Sequence, residues 1–494
     1  MKRLAAVILV MMFCFAALQA QAFSLTGLET ESVSREWKTN RFFERMTKLT
    51  GIETDASALY DQKEYAKLLE GMLKGEVTTD VLFKANLTRE QEIALLDSGA
   101  IVDLAPMIRE NMPNLSALLD ESPQWLETIA LEDGRIASLP QINQGERLIC
   151  LWINKAWLNA LKLKMPETTQ ELTDVLLAFK TRDPNGNLKE DEDAADLLGV
   201  YEMRWLLPYF SIISDDYYMA RGSEGEYVFA PELPGYRDFV ALLKEWNDLG
   251  LFGDGAFTSV HNASSLGSDD DETVTSGLIV TVAPYTHVVA ERTADYVPLL
   301  MAGPDGSIRW RDAFGAVWTG AFAVTSACED PAQALRWVDA LYGEAGSILA
   351  YAGEEGDEYR FSENGKWTFV VDMMRTIDDI RSESIIYTGV TTPGVTPNEF
   401  LGKVDSDIDR HVINSMNEVR AVSEQVSPGY LLGEKDRARA NEIMLTLGRV
   451  ADEGIGRFAT GEIELTDENW NAWLESLREA GSEELTALFN AAIK

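Results

Sequence analysis

The sequence is poor in the residues that most often carry enzyme chemistry. It has three cysteines and three histidines among 494 residues. The histidines are far apart in the chain, and there is no His-Glu-x-x-His zinc motif, Gly-x-Ser-x-Gly elbow or phosphate-binding Walker loop. The common metalloprotease, serine hydrolase and nucleotide-binding classes are therefore disfavoured. A glycosidase pair among the many carboxylates is not excluded by sequence.

Basic residues and cysteines are scarce as well. The chain has 43 Lys and Arg against 81 Asp and Glu, which gives a formal net charge of −38. Nucleic-acid binding depends on Lys and Arg that neutralise phosphates, so this balance predicts no nucleic-acid partner. Outside the N-terminal segment only Cys150 and Cys328 remain. Two cysteines make no disulfide framework, and we expect free thiols in apolar strands.

A long hydrophobic run occurs only at the N-terminus. Lys2 and Arg3 precede apolar residues 4–18, and Ala20-Gln21-Ala22 fits the small-x-small cleavage rule. We expect a signal peptide over residues 1–22 and an exported protein, periplasmic or extracellular, that is soluble after cleavage. Cys14 follows Met12-Phe13, a poor context for lipid attachment, so no lipid anchor is predicted. Retention of the segment as a membrane anchor is the alternative.

Beyond that segment, the pattern is typical of an α/β fold. Hydrophobic residues make up 46% of the chain, enough for more than one domain at this length. Apolar runs such as Leu148–Ile153 and Leu278–Val282 predict strands that are covered on both faces. Helical patterns alternate with them, and Thr168 with Glu171 predicts a capped helix start. The last 150 or so residues are predicted to be mostly helical.

Residues 183–192, Asp-Pro-Asn-Gly-Asn-Leu-Lys-Glu-Asp-Glu, predict a structural calcium site. Alternating oxygen-bearing side chains in a tight loop aim oxygens at one point, and calcium takes about six to eight oxygen ligands in irregular geometry. The predicted ligands are the side chains of Asp183, Asn185, Asn187, Asp191 and Glu192 and the backbone carbonyl of Lys189. The loop departs from an EF-hand because Leu188 replaces the turn glycine and Ala194 replaces the last Glu. A solvated acidic turn is the alternative.

The order of several segments resembles the extracellular solute-binding proteins of carbohydrate ABC importers. The nearest group is the larger, calcium-loop-bearing one that includes alginate-binding proteins. The matching segments are Asp133-Gly134-Arg135-Ile136 through Leu139-Pro140, Leu151-Trp152-Ile153 with Trp157-Leu158, loop 183–192, Pro331 to Tyr342, Tyr351 to Tyr359, Phe458-Ala-Thr-Gly461-Glu462 and the Trp470 helix. The sequence departs from the family at Ala137, Asn154 and Ala156, which affects the ligand's identity more than the fold.

The resemblance implies a two-lobed, type II periplasmic-binding-protein-like fold with a hinge that the chain crosses several times. The expected first lobe is 23–145 plus 294–345, and the second is 146–293 plus 346–494. The resemblance also implies a non-enzymatic monomer that captures a carbohydrate, an oligosaccharide, between the lobes. Its partners would be the permease subunits of an ABC importer, and loop 183–192 would bind Ca²⁺.

Aromatic residues with polar neighbours are the candidates for the ligand site. The chain has 12 Trp and 15 Tyr, and flat rings suit the apolar faces of sugars while amides bind the hydroxyls. We predict stacking by Trp205, Tyr209, Tyr285 and Trp318, and hydroxyl binding by Asn86, Gln141 and Asn143. For each ring the alternative is packing in a core. The alternative functions are a secreted calcium-stabilised glycan-active enzyme and a receptor of the same fold for a peptide or other small solute.

Overall fold

The computed structural model describes residues 22–29, 36–143, 148–253, 255–257, 275–313, 315–387, 391–428 and 431–493. The strands within these residues are β1 Phe23–Leu28, β2 Thr54–Leu59, β3 Val81–Phe83, β4 Leu139–Ile142, β5 Cys150–Asn154, β6 Asp193–Asp196, β7 Met219–Arg221, β8 Tyr227–Phe229, β9 Ser276–Thr281, β10 Tyr296–Pro298, β11 Trp310–Arg311, β12 Val317–Val324, β13 Tyr359–Phe361, β14 Trp367–Phe369, β15 Gly394–Val395 and β16 Ser423–Glu424.

The α-helices are α1 Arg41–Thr50, α2 Gln62–Leu73, α3 Arg89–Asp97, α4 Ala105–Asn111, α5 Pro113–Glu121, α6 Pro123–Ile129, α7 Lys155–Leu161, α8 Thr169–Thr181, α9 Gly199–Met203, α10 Pro234–Asp248, α11 Pro331–Asp339, α12 Glu344–Ala352, α13 Ile377–Ser384, α14 Asn398–Leu401, α15 Asp407–Arg420, α16 Glu434–Ala459, α17 Asp467–Glu479 and α18 Ser482–Ala492. As predicted, the Oγ1 of Thr168 caps α8 by accepting from the Glu171 amide at 3.2 Å. Among the described helices, none has the length and apolar character needed to cross a membrane.

The larger sheet has six strands in the order β15-β4-β12-β3-β1-β2. β1 is parallel to β2 and β3, whereas β12 is antiparallel to its neighbours β3 and β4. Alternate residues of β3 enter different cores: Val81 and Phe83 pack with Phe42 and Trp337, while Leu82 joins a second core on the opposite face. The sheet is therefore covered on both faces, which explains its continuous apolar strands.

The smaller sheet has four strands in the order β10-β5-β9-β6 and its own hydrophobic core. The apolar run predicted at 148–153 forms β5, which pairs antiparallel with β9 and β10. Trp157 of α7 meets Phe179 of α8 edge to face, with ring centroids 5.2 Å apart, and both rings lie in this core. Helices α15 to α18 add further apolar residues to it, so the C-terminal part is helical as predicted.

Two sheets with separate cores make a two-lobed α/β molecule, which confirms the predicted fold class. The chain passes from β4 to β5 through 143–149, and from β11 to β12 through 312–316. A further passage joins α14 to α15 through 402–406. The expected ranges need correction, because β10 at 296–298 pairs with β5 and β15 at 394–395 pairs with β4. Strands of two or three residues carry too little periodicity to be assigned to a sheet from sequence.

Candidate ligand-binding site

One edge of the larger sheet collects the polar candidates. The carboxyl ends of β1, β2, β3, β4 and β15 lie at this edge, and antiparallel β12 begins there. In open α/β sheets, ligands bind outside the carboxyl ends of the strands. The chain also leaves this edge for the smaller sheet after Asn143 and returns to it at Val317. We call this region the carboxyl edge.

Three of the predicted amides lie at the carboxyl edge, but in different environments. Asn86 follows β3, is exposed, and accepts a hydrogen bond from Thr391 Oγ1 at 3.1 Å. Asn143 is buried just past β4, and its backbone amide donates to Ala316 O at 2.7 Å. Gln141 is also buried. Asn86 is therefore the amide most accessible to a ligand.

The Gln141 amide is used within the protein. Its Nε2 donates to Tyr387 Oη at 2.8 Å, and its Oε1 accepts from the Thr392 amide at 2.8 Å. Tyr387 in turn stacks on Tyr351, with ring centroids 3.7 Å apart and an interplanar angle of 22°. Gln141 thus orients an aromatic pair instead of presenting its amide to solvent. Sequence reasoning missed this pair as a site feature, because α12 and the segment after α13 meet only through tertiary packing.

The predicted rings fall into two groups. Trp318 at the start of β12 is half-buried and pairs in register with Gln141, and Tyr285 after β9 is 46% exposed. Trp205 and Tyr209 are only 1% and 3% exposed and pack on Trp310 in the core of the smaller lobe. Rings with no accessible face cannot stack on a sugar, so the prediction for Trp205 and Tyr209 was wrong.

The error at these two rings has a local cause. Residues Arg204–Phe210 form a 3₁₀ helix, and every residue from Arg204 to Tyr209 is buried, so this helix is enclosed on all sides. Trp205 therefore lies in the core with its neighbours, and the Tyr209 hydroxyl donates to Leu299 O at 2.7 Å. Proline and polar neighbours in the sequence suggested an exposed cleft instead.

A buried ion pair lies beneath the carboxyl edge. Lys84 Nζ is 2.8 Å from Glu29 Oε2, and both side chains are 0% exposed. Glu29 also accepts from Trp37 Nε1 at 3.3 Å, while Lys84 Nζ donates to Ile386 O at 3.1 Å. The pair thus holds the residue before Tyr387. Lys84 and Asn86 have positive φ values of 53° and 46°, a strained conformation that clusters at functional sites.

On the smaller lobe, an ion pair fixes the segment that carries Tyr285. His287 Nε2 is 2.7 Å from Asp196 Oδ2, and Ser276 Oγ donates to the same oxygen at 2.8 Å. Burial acts to raise the pKa of Asp196, but the hydrogen bond and charge of His287 lower it overall. Burial acts to lower the pKa of His287, but the hydrogen bond and charge of Asp196 raise that pKa overall. The pair ties this segment to β6.

The loop at 183–192 has the tight geometry that the metal prediction requires. Asp183, Gly186 and Leu188 have φ values of 46°, 73° and 62°. The Asp183 carboxylate accepts from the backbone amides of Asn187 at 3.0 Å and Leu188 at 3.1 Å. Leu188 thus adopts the left-handed conformation that a glycine provides in an EF-hand, at a cost of about 1–2 kcal/mol.

The donors of this loop fit a hard cation. Among the described residues, no group of three or more His, Cys, Asp and Glu side chains is placed to hold a metal ion. However, Glu192 Oε1 is buried without a hydrogen-bond partner. Burial raises the pKa of Glu192, and the charges of Asp191 and Asp183 raise it further. An orphaned carboxylate oxygen near the charges of Asp191 and Asp183 is the type of donor that calcium takes.

Solved structures share this fold over almost the whole chain. A human-milk-oligosaccharide-binding solute-binding protein from Bifidobacterium longum infantis superposes with a TM-score of 0.76 at 18% identity, covering 96% of this chain and 98% of that one. The alginate-binding protein AlgQ2, solved without calcium, gives 0.62 at 17% identity, with 97% and 99% covered. The fold is that of the two-lobed solute-binding proteins.

One named relative is similar in both sequence and structure. The chain is 27% identical over 330 residues to the fructooligosaccharide ABC transporter substrate-binding protein FusA of Streptococcus pneumoniae. That match spans 64% of this chain and 60% of FusA, less than two thirds of the relative's length. The structure of an EF-hand mutant of FusA with fructo-nystose gives a TM-score of 0.69 at 20% identity, with 95% and 98% covered. No family model matches the chain.

Proposed function

We propose that this chain is the substrate-binding protein of an ABC importer, which captures an oligosaccharide between its lobes and releases it unchanged. The observation that carries the proposal is the carboxyl edge, where an exposed amide, a half-buried Trp and a Tyr pair lie beside two chain crossings. Open lobes would sample closure, and a sugar that touches both lobes would stabilise the closed form. The carbohydrate class is supported by the similar proteins, which are named for binding fructooligosaccharide and human milk oligosaccharide.

The proposed contacts come from both lobes. Trp318 from the larger lobe and Tyr285 from the smaller one would stack on sugar faces, because each ring retains accessible surface. Asn86 and Asn143 would bind hydroxyls. Gln141 would act indirectly, since its amide holds Tyr387.

The remaining features belong to the same proposal. We place the lobe crossings at 143–149, 312–316 and 402–406, as the strand pairing favours. Calcium would bind loop 183–192 and serve stability, because every ligand comes from one segment. A signal peptide at 1–22, which lies outside the described residues except for Ala22, would direct export. The protein would act as a monomer. Its partners would be the permease subunits of the importer, and it would bind no nucleic acid.

Calorimetric titration tests the proposal. The native chain would be titrated with kestose, nystose, a milk tetrasaccharide and an alginate oligomer, and each sugar recovered and weighed by mass spectrometry. We expect at least one of them to bind and to return intact. Trp318→Ala should weaken that binding about tenfold or more, as for a buried aromatic anchor. Phe361→Ala is the control, because Phe361 is 40% exposed on β13.

Two results would count against it. If the sugar affinity of Trp318→Ala lies within about twofold of that of the native chain, the Trp318 ring is not part of the site. Shortened sugars after incubation would favour the glycan-active enzyme.

A further inference from the structure

Strand β12 is interrupted beside the proposed stacking ring. Trp318 pairs with Gln141 of β4, and the next pair is Phe322 with Leu139. Residues 319–321 therefore stand opposite Pro140 alone, which makes a bulge. Proline has no N–H to donate across the sheet and is tolerated at bulges for this reason. The bulge leaves β12 amides that β4 cannot satisfy, and it sets the direction of the residues before it.

Gly320 locks this bulge against the segment that carries Asn86. Its φ is +78°, and a Cβ at this position would lie 2.1 Å from Leu87 O. The Leu87 amide donates to Gly320 O at 3.0 Å, and the Ala85 amide donates to Ala321 O at 3.0 Å. Only glycine fits here. Asn86 lies between the two hydrogen-bonded residues, so the bulge position fixes the site amide as well as the ring.

A buried polar chain holds the bulge. The Gly320 amide donates to Ser138 Oγ at 2.8 Å, and Ser138 Oγ donates to the Glu92 carboxylate. Ser138 and Glu92 are 1% and 0% exposed. The carboxylate is balanced by Arg89, whose Nη1 lies 3.0 Å from it. Ser138 Oγ therefore accepts from the amide of a bulge residue that is out of register with β4, and the Glu92 carboxylate orients the Ser138 hydroxyl by accepting its hydrogen bond.

We infer that Ser138 and Glu92 are positioning residues for ligand binding, which hold the β12 bulge so that Trp318 and Asn86 face the cleft. Neither side chain reaches the surface, so each acts through Gly320 and not by contact with the sugar. This inference rests on the proposed function. It adds that affinity depends on a buried carboxylate on α3 and a serine just before β4, neither of which would touch the sugar.

Hydrogen–deuterium exchange tests, without any ligand, whether Ser138 holds the β12 bulge. Ser138→Ala removes the Oγ that accepts from the Gly320 amide at 2.8 Å, so exchange should rise about tenfold at residues 318–321 and 85–87. The control is Ser347→Ala in the same lobe. Ser347 is 2% exposed, and its hydroxyl donates to Glu344 O at 3.0 Å, at the start of its own helix. Unchanged exchange at both segments in Ser138→Ala would overturn the inference.

Kestose titration separates positioning from general stability. Ser138→Ala should weaken kestose binding about fivefold in the native background and by less than about twofold when Trp318 and Asn86 are both already Ala. Glu92→Gln keeps a carbonyl acceptor for Ser138 and should retain affinity within about twofold, whereas Glu92→Leu should behave like Ser138→Ala. Equal losses in both backgrounds would show a merely structural role and overturn the inference.

The two failures are distinguishable. If Trp318→Ala weakens kestose binding and Ser138→Ala does not, the inference is wrong and the proposed function stands. If the native chain binds no kestose, the proposed function fails for that sugar. Amide exchange at residues 85–87 of Ser138→Ala then tests whether Ser138 holds the bulge. Faster exchange than in the native chain supports the inference, and unchanged exchange overturns it.

Discussion

Replacing Lys84 by Met probes the buried charge pair beneath the carboxyl edge. Lys84 and Glu29 are both 0% exposed, with Nζ and Oε2 2.8 Å apart. Met keeps the length of the aliphatic chain but removes the charge, so Glu29 becomes a buried carboxylate without its ammonium partner. Breaking a buried pair from one side costs about 3–5 kcal/mol. We expect the free energy of unfolding of the larger lobe to fall by that amount.

The double variant should recover part of this loss. With Glu29→Gln added to Lys84→Met, no uncompensated charge stays buried, and the cost should be smaller than for Lys84→Met alone. Kestose binding should weaken in Lys84→Met, because Lys84 Nζ also holds Ile386 O at 3.1 Å, next to Tyr387. Urea unfolding followed by circular dichroism, with exchange to identify the lobe, measures the first effect, and calorimetry measures the second.

A surface pair of equal length provides the control. Lys48 Nζ and Glu44 Oε1 are also 2.8 Å apart, but the side chains are 67% and 68% exposed. Lys48→Met should leave the urea midpoint unchanged, because water screens such pairs. If Lys84→Met and Lys48→Met unfold at the same urea concentration, the reasoning about the buried pair is refuted.

Three further predictions follow from other parts of the chain. Calcium should raise the melting temperature of the native chain and not of Asp183→Ala, because metal bound only to the folded state stabilises it; a native melting temperature unmoved by chelator would contradict the site. Burial raises the pKa of Asp215 from 3.8 to about 6. The folded state therefore holds that proton more tightly than the unfolded state does. As the pH rises from about 4 to about 6, the free energy of unfolding should fall by about 3 kcal/mol in all. Asp215→Asn should flatten this slope in urea unfolding, and equal slopes in both chains would refute it. Cys150 and Cys328 should label as free thiols in the unfolded, unreduced protein; unlabelled protein would indicate a bridge.

The sequence predicts the fold class well because its longer strands are apolar and covered on both faces. The run at 148–153 becomes β5 and the run at 278–282 falls largely in β9, since burial on two faces leaves a continuous apolar signal. The lobe ranges are less successful. β10 and β15 are strands of three and two residues, and their sheet is decided by pairing that local sequence does not encode.

The candidate site residues that lie near one another are those at strand ends. Asn86 follows β3, and Gln141 and Trp318 lie within β4 and β12, so all three are at the carboxyl edge. Trp205 and Tyr209 were misjudged because the 3₁₀ helix that carries them is buried on every side. The Tyr351 and Tyr387 pair, and the role of Ser138, depend on contacts between distant elements, which no local pattern reports.

Small-angle X-ray scattering with and without a bound sugar tests most directly that the two lobes trap a glycan. The radius of gyration of the native chain would be measured alone and with the tightest-binding sugar from the calorimetric panel at saturation. Closure predicts a smaller radius with the sugar, and no decrease for Trp318→Ala at the same sugar concentration. An unchanged radius in the saturated native chain would contradict capture by closure of the lobes.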